Sequence, residues 1–216
     1  MKYELETKNR YRSETVAESY KAGYTKGYSL RILKNKLIAY CEKKAILKAT
    51  TYCTDVVKII DIPCGTGKMT RQLSDKYELY IGMDMSYQMM QQIKDKEKLT
   101  FGQADGTAIP FVDNAVDLII SLRLIHRLPA DIKYKFFTEL ARVSNKYIIF
   151  SFSGNSLLLK ILLRIKIALG MVPEKIIVDS LDHYHEILET KSFYFKKKIY
   201  VFPFVSNQII YLYQRK

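Results

Sequence analysis

The sequence predicts an α/β fold in which helices cover both faces of a mostly parallel, doubly wound sheet. Two observations carry this prediction. An apolar β-branched run ends at Asp61, turns through Gly65 and Gly67, and continues into a stretch with helical spacing. A second apolar segment ends at another acid, Asp84, 23 residues further along the chain. Strands that end at polar residues and alternate with helices are typical of parallel sheets.

The elements that the periodicity predicts follow one another along most of the chain. We expect strands at 56–61, 78–84, 99–106, 116–121, 146–152, 193–202 and 208–213. We expect helices at 30–49, 68–77, 86–96, 131–143, 155–169 and 179–190, after an interrupted one from residue 13 onward. No internal repeat or low-complexity linker separates these elements, so one domain accounts for the whole sequence.

Composition agrees with a globular domain. The 216 residues suffice for a sizeable core, and no apolar run reaches the roughly 18 residues of a membrane span. Residues 1–12 are polar and charged, so we expect no signal peptide. Cys41, Cys53 and Cys64 show no paired spacing. This predicts neither a disulfide framework nor a metal site and favours a reducing, cytoplasmic location.

The formal net charge of +13 is concentrated in the two ends of the chain. Residues 1–50 carry +7 and residues 151–216 carry +5, whereas residues 51–150 carry +1. A basic rim around a nearly neutral centre raises the local concentration of anionic partners. A lysine-rich surface that only solvates the protein explains the same distribution, so charge leaves both interpretations open.

The residues around Gly65 and Gly67 exclude two common nucleotide-binding patterns. A dinucleotide fingerprint needs a third glycine at position 70, which is Thr70. A P-loop needs glycine at position 62 and Ser or Thr after the lysine, but Ile62 and Met69 stand there. Both patterns therefore fail, and by itself the turn is equally consistent with a tight strand–helix connection that binds nothing.

Two further segments complete an ordered set of motifs. Gln103-Ala104-Asp105-Gly106 precedes an Ile-Pro-Phe sequence, and Val116–Ser121 is an apolar strand with an acid at its second position. With the glycine turn and Asp84, these segments closely resemble the motifs of the class I S-adenosylmethionine (SAM) methyltransferases. The resemblance covers about residues 56–152 and is weaker on either side.

This resemblance implies a Rossmann-like, seven-stranded sheet with a C-terminal antiparallel strand pair and an N-terminal helical cap. It divides residues 1–216 into a cap at 1–50, a cofactor-binding core at 51–152, a helical insertion or lid at 153–178, and a C-terminal helix and strand pair at 179–216. It implies SAM as the cofactor and S-adenosylhomocysteine (SAH) as the product. The cofactor-binding positions that it implies are Asp61, Pro63, Cys64, Gly65, Thr66, Gly67, Asp84, Met85, Gln103, Ala104, Asp105, Gly106, Ser121 and Leu122.

Individual roles follow from the family and from chemistry. In the family, the acid at the position of Asp61 and the glycine turn hold the methionine part of SAM. Asp84 stands at the spacing of an acid that binds ribose hydroxyls, and Met85 is expected against the adenine. Asp105 matches the residue that reads the edge of the base. Each acid also has an ordinary structural interpretation, as a turn residue or a helix cap.

Methyl transfer from a sulfonium needs chiefly that the acceptor and the methyl group are held in line, although some acceptors also need a base. His126 is the candidate base, because it follows the fourth strand and histidine titrates near neutrality. Arg123 is a candidate for holding an anionic acceptor. A histidine that packs or caps a turn, and an arginine in a structural ion pair, are the alternatives.

The acceptor is expected to be a small molecule. Tyr20, Tyr24 and Tyr28 recur every four residues in a region that covers the substrate in the family, although packing explains such a stripe equally well. The segment after the fourth strand lacks the Asn/Asp-Pro-Pro-aromatic motif of many nucleic-acid methyltransferases. We do not expect Cys64 of Pro63-Cys64 to act as a nucleophile, because it lies in the turn that binds the cofactor and not on the acceptor side. His183 and His185 are two residues apart on a predicted helix and do not form a metal pair.

Residues 155–169 form an unusually apolar predicted helix that carries Lys160, Arg164 and Lys166. We expect a lid over a hydrophobic, anionic acceptor. A peripheral membrane contact, a subunit contact and a helix buried in its own domain are the alternatives. The predicted function is a SAM-dependent methyltransferase (a transferase) with a small, anionic or amphipathic acceptor. An RNA methyltransferase that uses the basic flanks, or an inactive binding subunit, is the alternative.

Overall fold

The computed structural model describes residues 29–93, 99–153, 181–203, 206 and 208–216, apart from the side chains of residues 29–32 and 71. Within these residues the seven strands are β1 (Lys58–Asp61), β2 (Leu79–Asp84), β3 (Thr100–Gln103), β4 (Val116–Ser121), β5 (Ser144–Ser153), β6 (Phe193–Tyr200) and β7 (Gln208–Arg215). The helices are α1 (Ser29–Thr50), α2 (Thr70–Leu73), α3 (Tyr87–Met90), α4 (Ala130–Val143) and α5 (Asp182–Thr190).

The strands form one sheet in the order β3-β2-β1-β4-β5-β7-β6. Strands β1 to β5 run parallel, and β7 lies antiparallel between β5 and β6. The predicted fold class, a mostly parallel seven-stranded sheet with a C-terminal antiparallel pair, is therefore confirmed. The chain order reverses beside β1, with β2 on one side and β4 on the other, and such a switch point is where open α/β sheets bind ligands.

The core lies on both faces of the sheet because successive strand residues point to opposite sides. In β1, Ile59 packs against α1 residues such as Ile46. Its neighbour Ile60 belongs to the opposite cluster, which contains Phe137 of α4 and Leu188 of α5. All five of these side chains are fully buried. This packing fixes the register of β1 and so places its last residue, Asp61, at the carboxyl edge of the sheet.

Two predicted helices differ from the structure. The helix predicted at 68–77 is reduced to α2 and a 3₁₀ turn at Ser74–Lys76, because the chain remains in turns from the glycines to Met69. The helix predicted from residue 86 begins as expected. Ser86 Oγ accepts a hydrogen bond from the backbone N–H of Met89 at 3.2 Å, and α3 ends at Met90. Residues 94–96 of that prediction lie outside the described residues.

Helix α1 matches its prediction to within one residue at either end, and α4 begins one residue earlier than predicted. The predicted helix at 155–169 and the tyrosines Tyr20, Tyr24 and Tyr28 lie outside the described residues. No helix in the described part of the chain combines the length and the hydropathy needed to cross a membrane.

Candidate active site at the carboxyl edge of the sheet

A cavity of about 450 Å³ opens where β1, β2 and β4 end. This volume is within the range of about 300–1,000 Å³ that is usual for small-molecule sites. Eleven of the fourteen predicted cofactor-binding residues line the cavity: Asp61, Pro63, Cys64, Gly65, Thr66, Asp84, Met85, Ala104, Asp105, Gly106 and Leu122. The structure therefore brings the four separate sequence motifs to one concave surface.

The glycine turn is held by its own backbone. The N–H of Cys64 donates to the carbonyl of Met83 at 2.8 Å, and the N–H of Gly67 donates to the carbonyl of Cys64 at 3.0 Å. Gly65 and Gly67 have φ of 55° and 70°, a left-handed conformation that favours glycine. Gly67 does not line the cavity, and a Cβ there would lie 3.0 Å from both branches of Ile93. The turn conformation, rather than close approach of a ligand, therefore explains glycine at 67.

Asp61 is a buried carboxylate at the base of the cavity, 2% exposed. The hydroxyl of Tyr80 donates to Asp61 Oδ2 at 2.6 Å, and the same hydroxyl lies 3.0 Å from Thr70 Oγ1. Burial raises the pKa of Asp61 to about 7, the hydrogen bond from Tyr80 lowers it, and the charge of Asp84 adds to the increase. Asp61 is therefore poised to ionise when a cation enters the cavity.

Asp84 organises two neighbouring segments. Its Oδ2 accepts from the N–H of Gly65 at 2.8 Å, and its Oδ1 accepts from the N–H of Ser86 at 2.8 Å. Burial raises its pKa, and these two backbone donors lower it. A carboxylate has about four acceptor positions, so capacity remains for two ligand hydroxyls. Asp84 thus joins the glycine turn to the start of α3 while facing the cavity.

The third motif follows β3 and lies beside the end of β2, where the N–H of Ala104 donates to the carbonyl of Asp84 at 3.1 Å. Asp105 Oδ1 accepts from both the N–H and the hydroxyl of Thr107, at 3.0 and 2.8 Å. A Cβ at Gly106 would lie 2.3 Å from Phe136, so the aromatic ring of α4 requires glycine there. Gln103 does not line the cavity, but its Nε2 donates to the carbonyl of Met85 at 2.8 Å and so holds that loop.

The residues predicted at the end of β4 differ in whether they line the cavity. Ser121 is fully buried and does not line the cavity, whereas Leu122 does. Arg123 lines the cavity, has a left-handed φ of 59°, and donates its backbone N–H to Ser151 Oγ at 2.7 Å. Its guanidinium pairs with both carboxylate oxygens of Glu42, with Nε 2.8 Å from Oε1. Arg123 is thus part of an ion pair that fastens α1 to the rim of the cavity.

His126 is exposed and is not among the cavity-lining residues. Its Nε2 accepts a hydrogen bond from Arg127 Nε at 3.2 Å. Desolvation lowers its pKa, and the positive charges of Arg127, Lys133 and Arg123 lower it further. His126 is therefore neutral at pH 7. The lone pair of its Nε2 accepts the hydrogen bond from Arg127, and that bond must break before Nε2 can accept a proton.

Several lining residues were not predicted. They are Ala39, Glu42 and Lys43 of α1; Ile62, Lys68, Met69, Gln72 and Met89 near the glycine turn; Thr107 after the third motif; and Leu124, Arg127, Leu128, Pro129, Ile132 and Phe136 after β4. The apolar residues after β4 could have been predicted as lining residues, since they follow a strand that ends at the site. Nothing in the α1 sequence indicates that this helix lines the same cavity, because its contacts are long-range.

Comparison with known proteins agrees with this geometry. Residues 59–146 match the family model described as a methyltransferase domain. No curated protein sequence matches the chain. The structure is similar to magnesium protoporphyrin IX methyltransferase from Synechocystis PCC 6803 with bound SAH, at 16% identity and a TM-score of 0.77, covering 99% of this chain and 100% of that one.

Two further solved structures are similar. The same Synechocystis enzyme with bound SAM has a TM-score of 0.72 at 14% identity, with 99% of this chain and 97% of that chain covered. A SAM-dependent methyltransferase from Clostridium acetobutylicum ATCC 824 has a TM-score of 0.61 at 13% identity, with 82% and 92% covered. The methyltransferase-domain match and the two complexes confirm the predicted cofactor, SAM, for a domain of this type. Residues 59–146 thus match a methyltransferase domain, and the described fold is that of solved SAM-dependent methyltransferases.

Proposed function

We propose that the protein transfers a methyl group from SAM to a small, amphipathic and anionic acceptor. The observation that carries the proposal is the division of the cavity into two parts. One part holds the acids and the glycine turn, where Asp61, Asp84 and Asp105 lie. The other part is apolar and lies between the end of β4 and α4.

The acid-lined part suits a cationic nucleoside. SAM carries a sulfonium and an ammonium group, and the buried carboxylates of Asp61 and Asp84 are groups that a cation stabilises. Asp84 also has acceptor capacity for a ribose diol. We assign the methionine part to Asp61, Gly65 and Thr66, the ribose to Asp84, and the adenine to Met85 and Asp105, in agreement with the family resemblance.

The apolar part suits the acceptor. Its wall consists of Leu122, Leu124, Leu128, Ile132 and Phe136. Basic side chains of Lys43 and Arg127 reach the same cavity. An apolar body with an acidic group matches such a surface, because the body gains from burial and the acid meets cations.

The fold comparisons support the same chemical class. The match to the Synechocystis enzyme, whose acceptor is a magnesium protoporphyrin, covers 99% of this chain, whereas the match to the Clostridium enzyme covers 82% of it. Protoporphyrin is an apolar macrocycle that bears carboxylates. We therefore propose a carboxylate-bearing apolar acceptor, methylated on oxygen, as the first class to test.

The test is methyl transfer from radiolabelled SAM to separate acceptor classes: protoporphyrins and their metal complexes, long-chain carboxylic acids, total RNA and soluble protein. We expect label in the carboxylic acids, as methyl esters. A Leu128→Ser, Ile132→Ser variant should lose turnover while retaining SAM affinity. Label in RNA alone would replace this proposal with the RNA methyltransferase, and SAM binding without transfer to any class would indicate a binding subunit.

A further inference from the structure

The outward face of α1 carries an apolar stripe that no other element among the described residues covers. Leu33, Leu37 and Tyr40 are 64%, 44% and 54% exposed. Their spacings of four and three residues place them on one side of the helix. The opposite side of α1 is in the core, where Ile46 and Ala49 are fully buried. The stripe is therefore a second apolar face, separate from the one that folding uses.

Lysines surround this stripe. Lys44 continues it, with Nζ 4.7 Å from the centre of the Tyr40 ring. Helical spacing places Lys36 and Lys43 on one flank and Lys34 and Lys48 on the other, and all five lysines are exposed. The acidic residue of α1, Glu42, is 6% exposed and is paired with Arg123. The outward face of α1 is thus apolar along its centre and cationic along both edges.

We propose that this face docks on a membrane surface that contains anionic lipids. Apolar side chains that enter the interface, with lysines at the level of the head groups, are the arrangement of interfacial helices. Tyrosine suits this depth because its ring is apolar and its hydroxyl is polar. Long lysine side chains can extend to the phosphates while their stems remain in apolar surroundings.

Charge and side-chain chemistry argue against the other candidate partners of this face: a second copy of the chain, the terminal or insertion segments, and RNA. A second copy of the chain would bring the same lysines against each other across a two-fold axis. Residues 1–28 and 154–180 each carry a formal charge of +2, so neither segment complements the face. RNA would meet the lysines, but of the three stripe residues Tyr40 alone offers a base an aromatic ring, and Leu33 and Leu37 offer no surface for further stacking.

The position of the face relates it to the cavity. Lys43 belongs to the cationic edge and also lines the cavity, as does Ala39 one turn earlier. Docking through α1 therefore brings the rim of the cavity to the lipid surface. If the acceptor is amphipathic, as the proposed function holds, this arrangement delivers it from the bilayer, although the docking itself does not depend on that function.

The test is flotation of the full chain with phosphatidylcholine vesicles, alone or with about 30% phosphatidylglycerol. We expect binding to the anionic vesicles only, and its loss in about 0.5 M salt, because screening shortens the reach of surface charge. The variant Leu33→Ser, Leu37→Ser, Tyr40→Ser should bind at least about tenfold more weakly. The variant Lys34→Gln, Lys36→Gln, Lys44→Gln should do the same. Both should retain the wild-type melting temperature and SAM affinity.

A matched control distinguishes vesicle binding through this face from vesicle binding through net positive charge. Lys58, Lys76 and Lys135 are exposed and scattered over other elements. Replacing all three with glutamine removes the same charge and should leave vesicle binding within about twofold. The proposal is overturned if the wild type ignores anionic vesicles, or if the scattered control loses binding equally. It is also overturned if the serine variant only converts a dimer into a monomer, or if removal of residues 1–28 is what creates vesicle binding.

Discussion

The hydroxyl of Tyr80 donates a hydrogen bond of 2.6 Å to Asp61 Oδ2, and both side chains are buried beneath the cavity. Tyr80 is on β2 and Asp61 ends β1, which pairs with β2. Thr70 Oγ1, 3.0 Å from the same hydroxyl, adds α2 to the arrangement. Tyr80 therefore orients the acid that, in the proposed function, receives the cationic end of SAM, without itself lining the cavity.

Removal of this hydroxyl should weaken SAM binding. We expect Tyr80→Phe to reduce SAM affinity at pH 7 by about tenfold, because hydrogen bonds to charged groups contribute about 1.5–3 kcal/mol. Without the hydroxyl the pKa of Asp61 rises, so the deficit should narrow above pH 8. Calorimetry at both pH values measures this. Tyr147→Phe is the control, since that buried hydroxyl bonds to Thr54 away from the cavity. Equal SAM affinity in Tyr80→Phe and wild type would contradict the assignment.

The pH dependence of SAM binding should follow Asp61. Burial raises its pKa to about 7, so below pH 7 the carboxyl is protonated and attracts a cationic ligand less. We expect SAM affinity to rise between about pH 6 and pH 8 and then to level off. Asp61→Asn should bind weakly and without this pH dependence. A flat wild-type profile over the same range would show that Asp61 does not meet the charge of SAM.

The stability of the ligand-free protein should change in the opposite direction. The folded state holds a proton on Asp61 that the unfolded state releases near its ordinary pKa, so between about pH 4 and pH 7 the folded state binds more protons. This group therefore makes stability fall as pH rises through that window. Denaturation of wild type and Asp61→Asn at several pH values isolates the contribution, which should be absent in the variant.

Gly67→Ala should destabilise the protein. The residue has φ of 70°, and a Cβ would lie 3.0 Å from the Ile93 side chain. We expect a loss of about 1–2 kcal/mol, measured as a lower melting temperature. Gly102→Ala is the control, because its Cβ would be in ordinary contact with Met83, at 3.4 Å. If both variants melt like wild type, the left-handed turn is not what requires glycine at 67.

His126 is tested as a base by its effect on turnover. If the acceptor carries a proton that His126 accepts, His126→Ala should lower kcat by about 10²- to 10⁴-fold and leave SAM affinity unchanged. The carboxylate acceptor that we propose is already ionised near pH 7, and for it we expect no such loss. Because the pKa of His126 is lowered, the wild-type rate should stay level to below pH 6.5. His183→Ala, at an exposed position on α5, is the control. Undiminished turnover would mean that positioning alone carries the reaction.

The sequence predicted the sheet well because local pattern determined it. Strand β4 matches its predicted bounds, and the hairpin of β6 and β7 was expected from its alternation. The glycine turn and Asp84 were recognisable because glycine and acids stand at fixed places after strands. These residues are close in sequence to the elements that position them, so no tertiary information was needed.

The parts that sequence could not predict depend on long-range contacts. Glu42 meets Arg123 and Gln208 across three separate elements, and no spacing in the sequence links them. The sequence indicates only that Tyr80 is a strand residue, because its hydrogen bond to Asp61 joins two different strands. Helix α2 was predicted too long because its apolar positions resemble a helix, whereas the chain is in turns from Gly65 to Met69 and in a 3₁₀ turn at Ser74–Lys76.

The most direct test of the central claim is calorimetric titration of SAM and SAH into the wild-type chain and into Asp84→Ala. Asp84 Oδ2 accepts from Gly65 and Oδ1 from Ser86, so its removal releases the glycine turn as well as the proposed ribose ligand. We expect one-to-one binding of both compounds by wild type, weakened by about 1–3 kcal/mol in Asp84→Ala. Absence of binding by folded wild type, or equal binding by the variant, would contradict the assignment of this cavity to SAM.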